Sequence, residues 1–240
     1  MKKIKQYSYN AAKIKGEEMR IYELNTKINE KQACILRLDG VGMTKAFKVV
    51  DKQFNQNFMD KMERLSLELA AFLPSAILLY QYSDEISILI DPHQEKNNFN
   101  NRIEKLLSIV SGKASAIFNR LNGGEKDFCF DCRIVQLPSK EITKYFESRQ
   151  AFAIIKFLEE LRSRNLKGEQ KFLKKSQDII NALQANNPNI DYMDFSAKVR
   201  NGTVVFYDRS SKKWIAEGAP ELLTEKEYIE RRISSFLGRK

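Results

Sequence analysis

The stretch Ala76-Ile77-Leu78-Leu79-Tyr80-Gln81-Tyr82-Ser83-Asp84-Glu85-Ile86-Ser87-Ile88-Leu89-Ile90 decides the fold. It opens on Ala76–Tyr80, one of the longest apolar runs of the chain, which suits a buried strand and is far below the roughly 18 residues of a membrane span. Its second half alternates, so that Ile86, Ile88 and Ile90 share one face. Between the halves stand Ser83 and Asp84. This pattern predicts two strands, 76–82 and 85–90, joined in a hairpin with acidic residues at its turn.

The flanks supply the rest of the plan. On the N-terminal side, Phe58, Met62, Leu65, Leu69 and Phe72 follow helical spacing, and Pro74 stops the helix. Gln32 to Leu38 is mostly apolar and ends at the turn pair Asp39-Gly40, which predicts a strand. Residues 10–29 interleave Lys and Glu with Ala12, Met19, Ile21 and Leu24, which predicts a first helix. On the C-terminal side, Asn97–Asn101 is a polar loop and Arg102–Leu121 a long helix ended by Gly123-Gly124. Phe128–Leu137 follows as a strand, and Lys140 to about Asn165 as another helix. After the first helix the order is β-α-β-β-α-β-α, the ferredoxin-like split βαβ plan of an α+β fold. The remainder predicts a lysine-rich helix (Gln170–Ala185), a loop at Asn186-Asn187-Pro188, and a hairpin with Gly202–Tyr207 as its second strand. Two units follow: a catalytic domain over 1–165, with the first helix, and a helix-and-hairpin extension over 166–240.

Composition narrows the function. The 240 residues hold 41 Lys+Arg against 31 Asp+Glu, a formal charge of +10. A basic chain without a membrane segment often meets nucleic acid or nucleotides. Lys171, Lys174, Lys175, Lys198 and Arg200 are the candidate phosphate contacts in the C-terminal third, although such lysines serve equally as solvated surface. Met1-Lys2-Lys3-Ile4-Lys5 is basic but no apolar stretch follows, so the expected compartment is the cytoplasm. Cys129 and Cys132 form a lone C-x-x-C with no second pair, and His93 is the single histidine. A zinc site lacks ligands, and in a strand these two cysteines point to opposite faces, so they are expected to be structural.

In the split βαβ plan the strand ending at Asp39 neighbours the hairpin carrying Asp84. Their carboxylates are therefore expected at one edge of the sheet, with no basic residue between them. Such a pair suits Mg²⁺, which takes one or two carboxylates and fills its shell with water and phosphate oxygens. Two such ions are the usual device for in-line phosphoryl transfer.

Arg37-Leu38-Asp39-Gly40, Ser83-Asp84-Glu85, Phe130-Asp131-Cys132-Arg133, Leu137-Pro138-Ser139 and Ser148-Arg149-Gln150 stand in an order and spacing that resemble the tRNA-histidine guanylyltransferase family. Gly16–Glu23 resembles the segment before the first strand in its bacterial and archaeal guanylyltransferase-like members. The resemblance runs from about residue 14 to 207. It implies a polymerase-type palm domain that adds nucleotides to the 5′ end of tRNA, in the 3′–5′ direction, with ATP and GTP as substrates. It places two Mg²⁺ ions on Asp39, Asp84 and the carbonyl of Gly40. It assigns Ser83 and Lys52 to the activating nucleotide, and Arg102, Lys105 and Ser108 to a triphosphate. It also implies a homodimer or homotetramer.

The departures are specific. Val41-Gly42-Met43 replaces the family's Arg-x-Phe, and Thr44 replaces a histidine. After Arg149-Gln150 the family carries Asp, His and Asn side chains that handle the tRNA 5′ end; here the stretch is Ala151-Phe152-Ala153-Ile154-Ile155-Lys156-Phe157. Its apolar side chains are expected to turn toward the core or another subunit. Either the acceptor differs from ordinary tRNA-histidine, or transfer is reduced or lost. Three readings follow: a tRNA guanylyltransferase-like nucleotidyltransferase, a nucleotide- and RNA-binding palm module without polymerisation, or a palm-type nucleotide cyclase.

Overall fold

A computed structural model of the protein describes residues 24–43, 55–124, 126–187, 191–222, 225 and 227–237. The elements run β1 (Ala33–Val41), α1 (Gln56–Phe72), β2 (Ala76–Tyr82), β3 (Glu85–Ile90), α2 (Ile103–Leu121), β4 (Cys129–Leu137), α3 (Ile142–Asn165), α4 (Ser176–Asn186), α5 (Ala197–Asn201), β5 (Thr203–Asp208), β6 (Lys213–Gly218) and α6 (Glu227–Leu237). The strands form one antiparallel sheet in the order β4-β1-β3-β2-β5-β6. Its first four strands have the ferredoxin-like order expected from the split βαβ reading.

Side-chain alternation sorts the core into two layers. Cys34, Leu36 and Leu38 of β1 and Ile86, Ile88 and Ile90 of β3 pack with Met62, Leu65 and Leu69 of α1 and Val110 and Phe118 of α2. Ile35, Leu89, Tyr80 and Val204 project the other way, onto Phe146 and Ala153 of α3 and Ile229 of α6. Each fully buried aliphatic or aromatic side chain contributes roughly 1.5–3 kcal/mol. The hairpin turn is as tight as the sequence requires: Ser83 and Asp84 alone join β2 to β3, and Ser83 takes a left-handed φ of 51°.

Several elements differ from the sequence expectation. Residues 24–29 are extended, not helical, and Lys27 bridges Arg102 in antiparallel fashion. Leu24, the apolar residue the helical reading used there, is 78% exposed; residues 10–23 lie outside the described set. The lysine-rich segment begins as a 3₁₀ turn at Gly168–Phe172, and the helix proper starts only at Ser176. Thr203–Asp208 is the first strand of its hairpin, not the second; Lys213–Gly218 is its partner. β5 also pairs with β2, so the sheet continues across the expected unit boundary at residue 165. Gly202 opens β5 with φ +85°, and a Cβ there would lie 2.7 Å from the Tyr80 hydroxyl and 2.9 Å from the Gln81 carbonyl oxygen.

Candidate active site

The site forms where β1, β3 and β4 reach one end of the sheet. In register, Asp39 stands opposite Glu85 on one side and Asp131 on the other. One pleat inward, Arg37 stands opposite Ser87 and Arg133. Opposed residues of an antiparallel ladder project from the same face. This face therefore carries a row of three carboxylates backed by two guanidinium groups. Asp84 sits in the turn beside the row, and the Gly40 amide donates to its backbone carbonyl at 3.2 Å. The Ser83 hydroxyl donates to the Asp84 carboxylate at 3.1 Å. Asp39 and Gly40, Ser83 and Asp84 are thus brought together, as expected. Three cations that sequence reasoning missed, Arg37, Arg133 and Arg149 of α3, stand around the carboxylate row. Strand alternation from Asp39 to Arg37 and from Asp131 to Arg133 was the signal for two of them.

Arg149 grips Glu85 with two hydrogen bonds, 2.8 Å from Nε and 2.6 Å from Nη2. Both side chains are about four-fifths buried, at 19% and 21% exposure. Burial raises the Glu85 carboxyl above its ordinary range, and the charge and hydrogen bonds of Arg149 offset part of that rise. One turn earlier on α3, the Tyr145 hydroxyl meets that of Ser87 at 3.0 Å. These contacts pin α3 across the carboxylate end of the face.

Packing alone already disfavours a side chain at Gly40. It lies on the opposite, buried face, and a Cβ there would come 2.8 Å from Cγ of the fully buried Met43.

The other sequence-predicted residues fall elsewhere. Arg102 is at the start of α2, with its Nε on Glu104 at 2.6 Å, and Lys105 and Ser108 follow on exposed positions of the first turns. That end of α2 lies by the finish of β3, where Asn101 donates to the Pro92 carbonyl. The other end reaches the site's end of the sheet, where Ser115 accepts from the amide of Phe130, opposite Gly40. At the helix's usual rise Arg102 lies roughly 20 Å along the axis from Ser115, Lys105 roughly 15 Å and Ser108 roughly 10 Å. Arg102 is the most distant of the three from the Asp39 end of the sheet, and Ser108 the nearest. Lys52 and Thr44 lie outside the described residues.

Gln150 went unread as a structural residue. It is fully buried, donates to the carbonyls of Asn201 at 3.2 Å and Pro220 at 2.7 Å, and accepts from the Leu222 amide. Beyond it the altered stretch is not uniformly turned inward. Ala153 and Phe157 are buried, but Phe152 and Ile155 are 47% and 45% exposed. Their phase on the helix, not their hydrophobicity, decides this. Cys129 is exposed while Cys132 packs against the core, on opposite faces as expected.

The family model for Thg1, tRNAHis guanylyltransferase, matches residues 16–138, just over half of the chain. The chain belongs to this family. It is an enzyme of the nucleotidyltransferase class, with the family's palm-type fold. Among solved structures it is similar to a bacterial tRNA(His) guanylyltransferase (Thg1)-like protein in complex with ATP, at 27% identity and TM-score 0.80, covering 91% of this chain and 98% of the other. It shares its fold with a bacterial Thg1-like protein in complex with GTP, at 24% identity and TM-score 0.71, over 92% and 99%. The Saccharomyces cerevisiae tRNA(His) guanylyltransferase also has this fold, at 18% identity and TM-score 0.72, over 87% and 98%. The comparison with curated proteins gives no match. Among the described residues no helix is long and apolar enough to cross a membrane.

Proposed function

We propose that this Thg1-family enzyme is a Mg²⁺-dependent nucleotidyltransferase that extends the 5′ end of tRNA or a related RNA in the 3′–5′ direction, using ATP and GTP. The observation that carries the reading is the convergence of Asp39 and Asp84 at one sheet end, locked by the Gly40–Asp84 backbone hydrogen bond. The donor set suits a hard cation. Among the described residues no group of three or more His, Cys, Asp or Glu side chains is placed to hold a metal. Ions here would rest on Asp39, Asp84 and the Gly40 carbonyl, completed by water and phosphate oxygens. Asp131, opposite Asp39, keeps a buried Oδ1 with no hydrogen-bond partner among the described residues, an acceptor that nearby positive charge would satisfy. Bound cations supply charge stabilisation for the attacking and leaving oxygens of in-line transfer.

The chain's own groups do the rest. Ser83 orients the Asp84 carboxylate. Arg37 and Arg133, one pleat in, supply guanidinium forks suited to phosphate oxygens. Glu85, held by Arg149, fixes α3 over the face. In this reading Ser83 and Lys52 meet the activating nucleotide, and Arg102, Lys105 and Ser108 bind phosphate at a second place on the chain. The reading includes a cytoplasmic location and a homodimer or homotetramer. The altered Ala151–Phe157 stretch supports an acceptor other than ordinary tRNAHis, or a palm module that retains only binding.

The test incubates the protein with labelled nucleoside triphosphates, Mg²⁺ and total small RNA. A lengthened RNA is expected. Asp39→Ala should reduce incorporation by more than about 100-fold while leaving the unfolding midpoint nearly unchanged, because Asp39 is exposed. Full Mg²⁺-dependent activity in Asp39→Ala refutes the metal assignment. Bound nucleotide with no product supports the binding module, and a cyclic nucleotide supports the cyclase.

A further inference from the structure

We propose that the loop joining α3 to α4 is an RNA-docking element, with Phe172 the ring on which an unpaired base away from the 5′ end stacks. The inference rests on the RNA reading above and adds a second place of contact to it. The loop's location follows from the course of α3. Tyr145 meets Ser87 and Arg149 meets Glu85, so the helix runs along β3 toward the carboxylate end of the sheet. Glu85 is the first residue of β3, yet α3 continues past it to Asn165. Arg162, whose guanidinium donates to the Leu173 carbonyl, stands roughly 20 Å along the axis from Arg149. The loop therefore lies well beyond the catalytic end of the sheet.

The loop holds one ring out in water. The Gln170 side chain accepts from the Asn186 amide group at 2.9 Å, and the Leu173 side chain packs on Phe157, Leu158 and Leu161. Phe172 stands between these two anchors and is 79% exposed. Among the described residues no cation and no second ring covers it. Phe152, by contrast, carries Arg149 and Lys156 over its ring. Lys167, Lys171, Lys174 and Lys175 are exposed in the same stretch, where Glu169 is the one carboxylate. None of the four ammonium groups is in an ion pair among the described residues. Charge complementarity points to the partner. Uncommitted cations around an open ring match a phosphate strand whose bases are splayed out, and base–aromatic stacking is a common way to hold unpaired RNA. A single ring falls far short of the roughly 800 Å² per partner of a stable protein interface. Binding to a lipid surface scales with buried apolar area and would demand a wider apolar face.

The experiment compares a short 5′-monophosphorylated single-stranded RNA with the blunt duplex of the same sequence. Affinities are measured for the wild type, Phe172→Ala and Phe172→Trp. The alanine variant should lose about 10-fold for the single strand and nothing for the duplex, with its salt dependence and unfolding midpoint unchanged. Phe172→Trp should bind the single strand at least as tightly as wild type, and the single strand, not the duplex, should quench the new indole's fluorescence. Equal binding of the single strand by Phe172→Ala and wild type overturns the proposal and leaves the RNA reading standing. An equal loss on both RNAs overturns stacking. A wild type that binds neither RNA overturns the RNA reading and the docking element with it. Two further outcomes for Phe172→Ala overturn the proposal. Weaker binding to phosphatidylserine vesicles with RNA affinity intact assigns the loop to a membrane surface, and a changed sedimentation mass assigns it to an interface between copies.

Discussion

Glu85 holds two opposed influences in one carboxyl group: burial raises its pKa, and the Arg149 fork pulls it back. Replacing Arg149 with Met removes the lowering influence and leaves the burial. The Glu85 carboxyl should then titrate higher than in the wild type, which a ¹³C carboxyl NMR titration reads directly. A downward shift would contradict the assigned cause. The cysteines give a second residue-scale test. Burial pushes the thiols of Cys34 and Cys132 up to about 12, whereas Cys129 is exposed. In the native protein a thiol reagent should therefore label Cys129 quickly and the other two only on unfolding. Changing Cys129 and Cys132 to Ser should release no zinc, and one equivalent of zinc lost in that variant would refute the structural role.

At this scale much of the site was legible in advance. Asp84 could be placed because it stands in the hairpin turn, whereas Asp39-Gly40, read as a turn pair ending the strand, lies inside β1, which continues to Val41. Arg149's part in it was not legible. Its partner Glu85 lies 64 positions away, and no local spacing reports a contact between a helix and a strand so far apart. Gln150 was hidden for the same reason, since its three bonds go to residues 51 to 72 positions on.

Among the elements, the join between α5 and β5 is the most demanding. Gly202 has φ +85° and ψ −176°, a region essentially reserved for glycine. It also abuts the Tyr80 hydroxyl, which donates to the Asn201 carbonyl at 2.8 Å. Gly202→Ala should cost about 1–3 kcal/mol from the backbone alone. The expected readout is a lower urea midpoint with an unchanged slope, and a loss below about 0.5 kcal/mol would contradict the strain argument. Sequence periodicity located the palm elements closely because each has a strongly one-sided apolar pattern. It misplaced the C-terminal hairpin because Lys213–Gly218 is an edge strand, only partly buried along its length. Such a strand needs little apolar alternation, and charge on an edge is itself protective. The segment at 24–29 was misread because the helical reading was carried into Leu24-Asn25-Thr26-Lys27-Ile28-Asn29, whose two Asn and β-branched Thr26 and Ile28 are weak helix formers.

The whole molecule carries its positive charge unevenly engaged. Lys198 is paired with Glu63 at 2.6 Å, and Arg200 is bonded to the Phe195 carbonyl and stacked on Tyr192. Lys171, Lys174 and Lys175 are exposed together between α3 and α4. On the RNA reading these three are the better phosphate contacts of the five. Changing all three to Glu should weaken RNA binding and flatten its dependence on salt by up to about three counterions' worth of slope. An unchanged slope would assign them to solvated surface.

The pairing of β2 with β5 has a consequence for how the protein is made. Ala76–Tyr82 is buried along its whole length, yet its outer neighbour is Thr203–Phe206, well over a hundred residues later. At roughly 5–20 residues per second of synthesis, the nascent chain carries an open apolar edge for on the order of ten seconds. During that window the palm has its ferredoxin-like strands but no cover on β2, the kind of edge that templates pairing with another chain. Chains released early, before residue 203, should therefore be the ones that aggregate or occupy a chaperone.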